Sequence, residues 1–169
     1  MKSIQNEYGQ SIAFYDGEMS RKHIRQRTLE AGFEEALEQR EFVIYYQPQY
    51  NTQTEHIAGA EALVRWKKPD GTLIRPGEFI PPLEQSGMIC EVGMWVLQTA
   101  VSQCREWRKK LPDFHISVNI SYVQLRQKGI EEAVLALLQQ MDLPGEALTL
   151  EVTESMQLQD YSYFNKIFL

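Results

Sequence analysis

The chain has 169 residues, 43% hydrophobic and 24% charged, with a formal net charge of -6 at pH 7. That is enough chain for one domain with a sizeable core. The acidic balance argues against binding DNA or RNA through a basic surface, so an anionic ligand needs a few local Arg or Lys residues or metal ions.

The N-terminus is polar and carries no apolar signal-peptide core. The longest apolar run, residues 133–138, is far too short to span a bilayer. The cytoplasm is therefore the default location for this chain, whether or not its parent protein is membrane-anchored. Cys90 and Cys104 lie in one helical stretch, outside any CxxC pair and away from histidine. His23, His56 and His115 are scattered. These placements argue against a thiol zinc site and against a disulfide framework.

Residues 1–24 read as a polar arm, with Ile12-Ala13-Phe14-Tyr15 as a short strand ended by Asp16-Gly17. Residues 25–41 read as a linker helix, because Leu29, Phe33, Ala36 and Leu37 recur at helical spacing. Residues 42–47 form a strand stopped by Pro48. A turn-rich piece, Asn51-Thr52-Gln53-Thr54, leads to a second strand over residues 57–66. The connection is too short for a helical crossover, so these two strands are antiparallel neighbours.

Pro69-Asp70-Gly71 is a turn, and residues 77–85 form a short helix closed by Gly87. A long amphipathic helix follows, with Val92, Val96, Leu97, Ala100, Val101, Cys104 and Trp107 on its apolar side, ended by Pro112. Residues 115–121 alternate as a strand. Ile130, Val134, Leu137, Leu138 and Met141 mark another helix, residues 148–153 another strand, and a further helix begins near Asp160. After the hairpin the order is a βα repeat, which predicts parallel strands with outer helices. Tyr161, Phe164, Ile167 and Phe168 make the apolar side of a helix that reaches Leu169 with no Gly, Pro or polar cap. The expectation is a chain cut inside a larger domain; the alternative is a short docking helix that frays.

Strand parity sorts the polar residues. Glu61, Leu63 and Arg65 share one face of the second strand. Ser117, Asn119 and Ser121 share one face of residues 115–121, opposite Ile116, Val118 and Ile120. Thr149, Glu151 and Thr153 oppose Leu148, Leu150 and Val152. In βα barrels the active site lies at the C-terminal ends of the strands, and Asn119 and Glu151 both lie past the middle of theirs. Two carboxylates and an amide are hard oxygen donors suited to Mg²⁺, Mn²⁺ or Ca²⁺. Parity alone leaves two readings open: one shared cation site, or a satisfied polar layer in which a glutamate pairs with Arg65.

Five blocks decide between them. They are Tyr45-Tyr46-Gln47-Pro48, Glu61-Ala62-Leu63-Val64-Arg65-Trp66, Pro76-Gly77-Glu78-Phe79-Ile80-Pro81, Ser117-Val118-Asn119-Ile120-Ser121 and Leu150-Glu151-Val152-Thr153-Glu154-Ser155. In this order and spacing the chain, from about Phe33 onward, resembles the EAL domain, the bacterial phosphodiesterase module acting on cyclic diguanylate. Residues 12–19 resemble the tail of a GGDEF (diguanylate cyclase) domain; the alternative is a mobile arm.

The resemblance implies an α/β, TIM-barrel-like (β/α) EAL fold, present as a partial barrel with an antiparallel first strand and filling residues 42–169. It implies that Glu61, Asn119 and Glu151 ligate Mg²⁺ or Mn²⁺, with Glu61 catalytic. Arg65 would contact a phosphate of cyclic diguanylate, and Gln47 and Leu63 would shape the substrate pocket. Glu154 would hold a later loop by hydrogen bonding, with an exposed helix-start charge as its alternative.

The reaction would be two-metal hydrolysis of one phosphodiester bond to linear pGpG. The family's Asp-Asp-Phe-Gly motif, its Lys-bearing strand and its late Glu do not occur in the chain. A βα barrel needs about 250 residues and eight strands. The chain is therefore expected to be an inactive part of a phosphodiesterase, prone to associate as a homodimer through an exposed edge. The alternative is a non-catalytic module that binds cyclic diguanylate or dimerises.

Overall fold

A computed structural model describes residues 4–5, 11–12 and 17–152. Two short strands, β1 (Ile4–Gln5) and β2 (Ser11–Ile12), pair antiparallel. The expected strand over residues 12–15 is thus met only at Ile12, since residues 13–16 lie outside the described residues. Helices α1 (Gly17–Glu30) and α2 (Phe33–Glu38) follow. The helical pattern through Leu29, Phe33 and Ala36 is therefore broken at Ala31-Gly32, where the Gly32 amide bonds back to the Leu29 carbonyl at 3.0 Å.

The main sheet is built from β3 (Phe42–Asn51), β4 (His56–Lys67), β5 (Leu73–Ile74), β6 (His115–Ile120) and β7 (Leu148–Val152). Between them come α3 (Pro76–Ser86), α4 (Ile89–Arg108), α5 (Tyr122–Leu125), α6 (Ile130–Gln140) and a 3₁₀ turn at Gly145–Ala147. The strand order is β3-β4-β6-β7, with β5 paired to the end of β4. Strand β3 runs antiparallel to β4, while β4–β6 and β6–β7 are parallel. The fold is α/β, an arc of a TIM-barrel-like sheet whose first strand is antiparallel.

One boundary differs from the sequence expectation. Strand β3 runs through Pro48, which faces Ala60 in register, and continues to Asn51 past an irregularity at Gln49/Tyr50. Among the described strands β3 is an edge, so the proline ring removes no hydrogen bond that a second neighbour requires.

The core lies between one face of the sheet and α3 and α4. Ala60, Ala62, Trp66, Ile116, Val118 and Ile120 are all buried on that face. Helix α4 answers with Val92, Val96, Leu97, Ala100, Val101 and Cys104, spaced by three or four residues and all buried. Trp107 projects beyond them and meets Tyr46 edge-on, with ring centroids 4.8 Å apart. Helix α3 starts at Pro76, whose missing N–H costs nothing there, and stops at Gly87, left-handed at φ 81°. Among the described residues, no helix is long and apolar enough to cross a membrane.

An aromatic cluster closes the end where β4 meets β5. Trp66 packs against Phe33, Phe42 and Phe79 at centroid distances of 5.3, 5.4 and 5.9 Å. Buried beside it, Glu41 accepts hydrogen bonds from Trp66 Nε1 at 2.7 Å and from Lys68 Nζ at 2.8 Å. Its own carbonyl accepts from the Lys67 amide at 2.8 Å. Burial alone would raise the Glu41 carboxyl pKa, but the bonds from Lys68 and Trp66, with the Lys68 charge, outweigh it and hold the pKa below its ordinary value.

Glu41→Leu leaves the buried indole N–H and the Lys68 ammonium without this acceptor, at a cost of about 1–3 kcal/mol. Because the folded pKa is the lower one, the Glu41 contribution is complete above the ordinary glutamate range. It is lost as the pH falls through the folded value. Thermal melts from pH 7 down to pH 3 should show a lower Tm for the variant at neutral pH and a shallower loss on acidification than wild type.

Candidate functional site

The face of the sheet turned away from α3 and α4 is arranged in rows set by strand register. The first row is Gln49, Gly59 and His115; the second is Gln47, Glu61, Ser117 and Thr149. Above them Tyr45 faces Leu63, and Asn119 faces Glu151. Last comes Val43 opposite Arg65. Alternation puts all of these on one face because their neighbours in sequence are committed to the core.

The three predicted metal ligands thus stand on three consecutive strands. Asn119 Nδ2 donates to Glu61 Oε1 at 2.6 Å. Glu151 is the direct register partner of Asn119. Glu61 and Glu151 are half-buried, and Asn119 is exposed. Among the described residues, no three His, Cys, Asp or Glu side chains cluster as a metal site. The group at hand is instead two carboxylates and an amide, a donor set whose chemistry fits a hard divalent cation but supplies few ligands.

Gln47 lies beside Glu61 in register, and Leu63 and Arg65 continue the same face of β4. The Arg65 guanidinium donates from Nη1 to the Val64 carbonyl at 2.8 Å and lies over the Tyr45 ring, 5.8 Å from its centre. The described salt bridges join Arg25 to Glu78, Lys68 to Glu41 and Lys109 to Glu106, so no pairing of Arg65 with either glutamate is seen among the described residues. Glu154 lies outside the described residues.

Sequence reasoning missed a polar layer below the site. His115 Nε2–H donates to Gln49 Oε1 at 3.0 Å, and Gln49 Nε2 reaches Ser117 Oγ at 3.5 Å. A Cβ at Gly59 would lie 2.6 Å from His115 Nε2, so the imidazole fits only over glycine. The signal was parity: Gln49, Gly59 and His115 share the face of Glu61, across three strands.

Between the upper half of β4 and the end of β6 is a cavity of about 260 Å³ lined by Ile80, Val92, Val96 and Ile120 together with Arg65, Asn119, Ser121 and Gln124. Just past Asn119, Ser121 and Gln124 form a capping box. The Ser121 amide donates to Gln124 Oε1 at 3.1 Å, and the Gln124 amide donates to Ser121 Oγ at 3.4 Å. Glu84 borders this turn; burial raises its carboxyl pKa, and a hydrogen bond with Ser121 partly offsets that rise.

Residues 30–167 match the family model of the EAL domain. The chain belongs to the EAL domain family. It is 35% identical over 154 residues to the signaling protein YkoW of Bacillus subtilis, covering 91% of this chain and 19% of that protein. It is 36% identical over 148 residues to the bifunctional diguanylate cyclase/cyclic di-GMP phosphodiesterase MucR of Pseudomonas aeruginosa, covering 87% of this chain and 22% of MucR. Its fold resembles the solved PaMucR phosphodiesterase in complex with c-di-GMP, with a TM-score of 0.75 and 35% identity over 83% of this chain and 59% of that one. The chain therefore spans about a fifth of the length of these two curated relatives.

The capping box follows directly on β6, the strand that carries Asn119. A Cβ at Gly93 of α4 would lie 1.9 Å from Gln124 Nε2. Gly93→Ala gains helix propensity of about 1 kcal/mol but expels the buried Gln124 amide and breaks the cap, worth about 1–2 kcal/mol with the packing lost. Urea titration should find Gly93→Ala destabilised, and Gln124→Ala added to it should recover stability rather than lower it further. Additive losses in the double variant would show that the two positions do not compete for one space.

Proposed function

We propose that this chain is the N-terminal part of a cyclic diguanylate phosphodiesterase domain. In this reading it contributes the phosphate-binding and first metal-binding residues of a reaction that opens c-di-GMP to linear pGpG. The observation that carries the reading is the row arrangement: Glu61, Asn119 and Glu151 on adjacent parallel strands of one face, with Asn119 bonded to Glu61 at 2.6 Å. Support comes from relatives whose names describe that activity, MucR and the cyclic di-GMP phosphodiesterase PdeR of Escherichia coli. The solved PaMucR complex contains c-di-GMP.

In this reading Glu61, Asn119 and Glu151 would hold Mg²⁺ or Mn²⁺, and Glu61 is the catalytic member. When bound, the ion supplies Lewis-acid neutralisation of the charge that grows on the phosphodiester. The protein's own groups do the rest. Asn119 orients the Glu61 carboxylate through its Nδ2–H. Arg65, anchored by the Val64 carbonyl and the Tyr45 ring, meets a phosphate oxygen. Gln47 and Leu63 would flank the ligand, and Glu154 would hold a later loop by hydrogen bonding. Residues 1–24 are read as a polar arm or the tail of a preceding GGDEF domain, residues 25–41 as a linker helix, and the location as cytoplasmic.

The donor set available in this chain is small, so binding and turnover separate. Calorimetry should show the 169-residue chain binding c-di-GMP, and Mn²⁺ should broaden into a bound species by electron paramagnetic resonance. Chromatography should find no linear pGpG beyond the uncatalysed background. Arg65→Ala should weaken c-di-GMP at least about tenfold while leaving Mn²⁺ unaffected, and Glu61→Gln should do the reverse. Turnover by the unmodified chain would overturn its assignment as an inactive part, and absence of c-di-GMP binding would overturn the site itself.

A further inference from the structure

We propose that Tyr45 is a further ligand-binding residue of this site, a platform on which a nucleobase stacks. The inference rests on the functional reading above and gives Tyr45, there only a support for Arg65, a ligand contact of its own. Tyr45 and Tyr46 are adjacent in β3 and point to opposite faces. Tyr46 packs edge-on against Trp107 in the core. Tyr45 faces the other way, opposite Leu63 and one row above the Gln47–Glu61 pair. It keeps 48% of its surface exposed although the residue in front of it, Ile44, and Tyr46 behind it pack against the core.

Its one described interaction is with the site. Arg65 Cζ lies 5.8 Å from the Tyr45 ring centre, while Arg65 Nη1 is tied to the Val64 carbonyl at 2.8 Å. Two contacts thus hold the guanidinium beside an open aromatic surface. A fixed cation next to a ring is the pairing that a nucleotide needs, since its phosphate is anionic and its base has a π-face. Stacking on an aromatic side chain tolerates any base and contributes strongly per base. A phosphate alone would use Arg65 and gain nothing from the ring. The ring therefore points to a base-bearing ligand, and its place in the row next to Leu63 puts that base over β3 and β4.

The test uses the whole chain and c-di-GMP as the probe, with thermal melts to establish that each variant folds. Tyr45→Phe keeps the ring and should bind within about twofold of wild type. Tyr45→Leu keeps apolar bulk without a π-face and should bind about tenfold more weakly. Tyr45→Trp should bind at least as well as wild type, and its added emission should be quenched on saturation, as an indole stacked on a base is. Binding by Tyr45→Leu equal to wild type, or Tyr45→Trp emission unmoved at saturation, overturns the platform while leaving the site reading intact. Absence of c-di-GMP binding by wild type overturns both.

Discussion

Strand β4 is hydrogen-bonded along both edges, to β3 and to β6, and on one face it is sealed. Ala60, Ala62 and Trp66 are at most 4% exposed. With both edges and one face taken, the odd-numbered side chains have a single direction left. A slip of one residue would turn Glu61 into the packed space that Ala60 and Ala62 now fill, where an unpaired charge costs several kcal/mol or more. The core therefore sets the register, and the polar face follows from it. The small side chains at residues 60 and 62 also matter, because they let α4 lie close across β3, β4 and β6 at once.

Two anchors hold the end of the sheet where Arg65 and Asn119 stand. On one side Glu41 ties the start of β3 to Trp66, Lys67 and Lys68 at the end of β4. On the other, Ser121 and Gln124 cap α5 just past β6, and Gln124 fits only because residue 93 lacks a side chain. The opposite end relies on a different device, an imidazole laid over Gly59 and bonded to Gln49. Each anchor pairs a buried or half-buried polar group with a specific partner, so a substitution there leaves a polar group unsatisfied, whereas one in the apolar core between them leaves a cavity.

Alternation and helical periodicity made β4, β6, β7, α3, α4 and α6 legible, because each buries one face against the same core. Proline misled at Pro48, since the rule against it applies to strands with two neighbours and β3 has one described neighbour. The break between α1 and α2 was hidden because Leu29, Phe33 and Ala36 keep helical spacing across Gly32. In the candidate site, Glu61, Asn119 and Glu151 were singled out by parity and by the family blocks. Tyr45 and His115 were passed over for opposite reasons. Tyr45 sits in a strand that reads as uniformly apolar, and the His115 partners, Gln49 and Gly59, are distant in sequence and converge only through register.

The remaining question is how an acidic chain would accept an anion. The formal charge is -6, and the candidate face itself carries Glu61 and Glu151. A phosphodiester brought near them is repelled, by about 1 kcal/mol per pair of charges at 4 Å even in water and by more where solvent is excluded. Arg65 offsets part of this, and its placement two residues beyond Leu63 sets it apart from the carboxylates rather than neutralising them in a salt bridge. That separation leaves the guanidinium available to a phosphate and the two carboxylates available to a cation. Had Arg65 folded back onto Glu61, each would have satisfied the other and the face would be an inert polar layer. Its tie to the Val64 carbonyl and to Tyr45 keeps the two charges apart, and such a division of charge along one strand is what a site for an anionic ligand would need and a satisfied barrel wall would not.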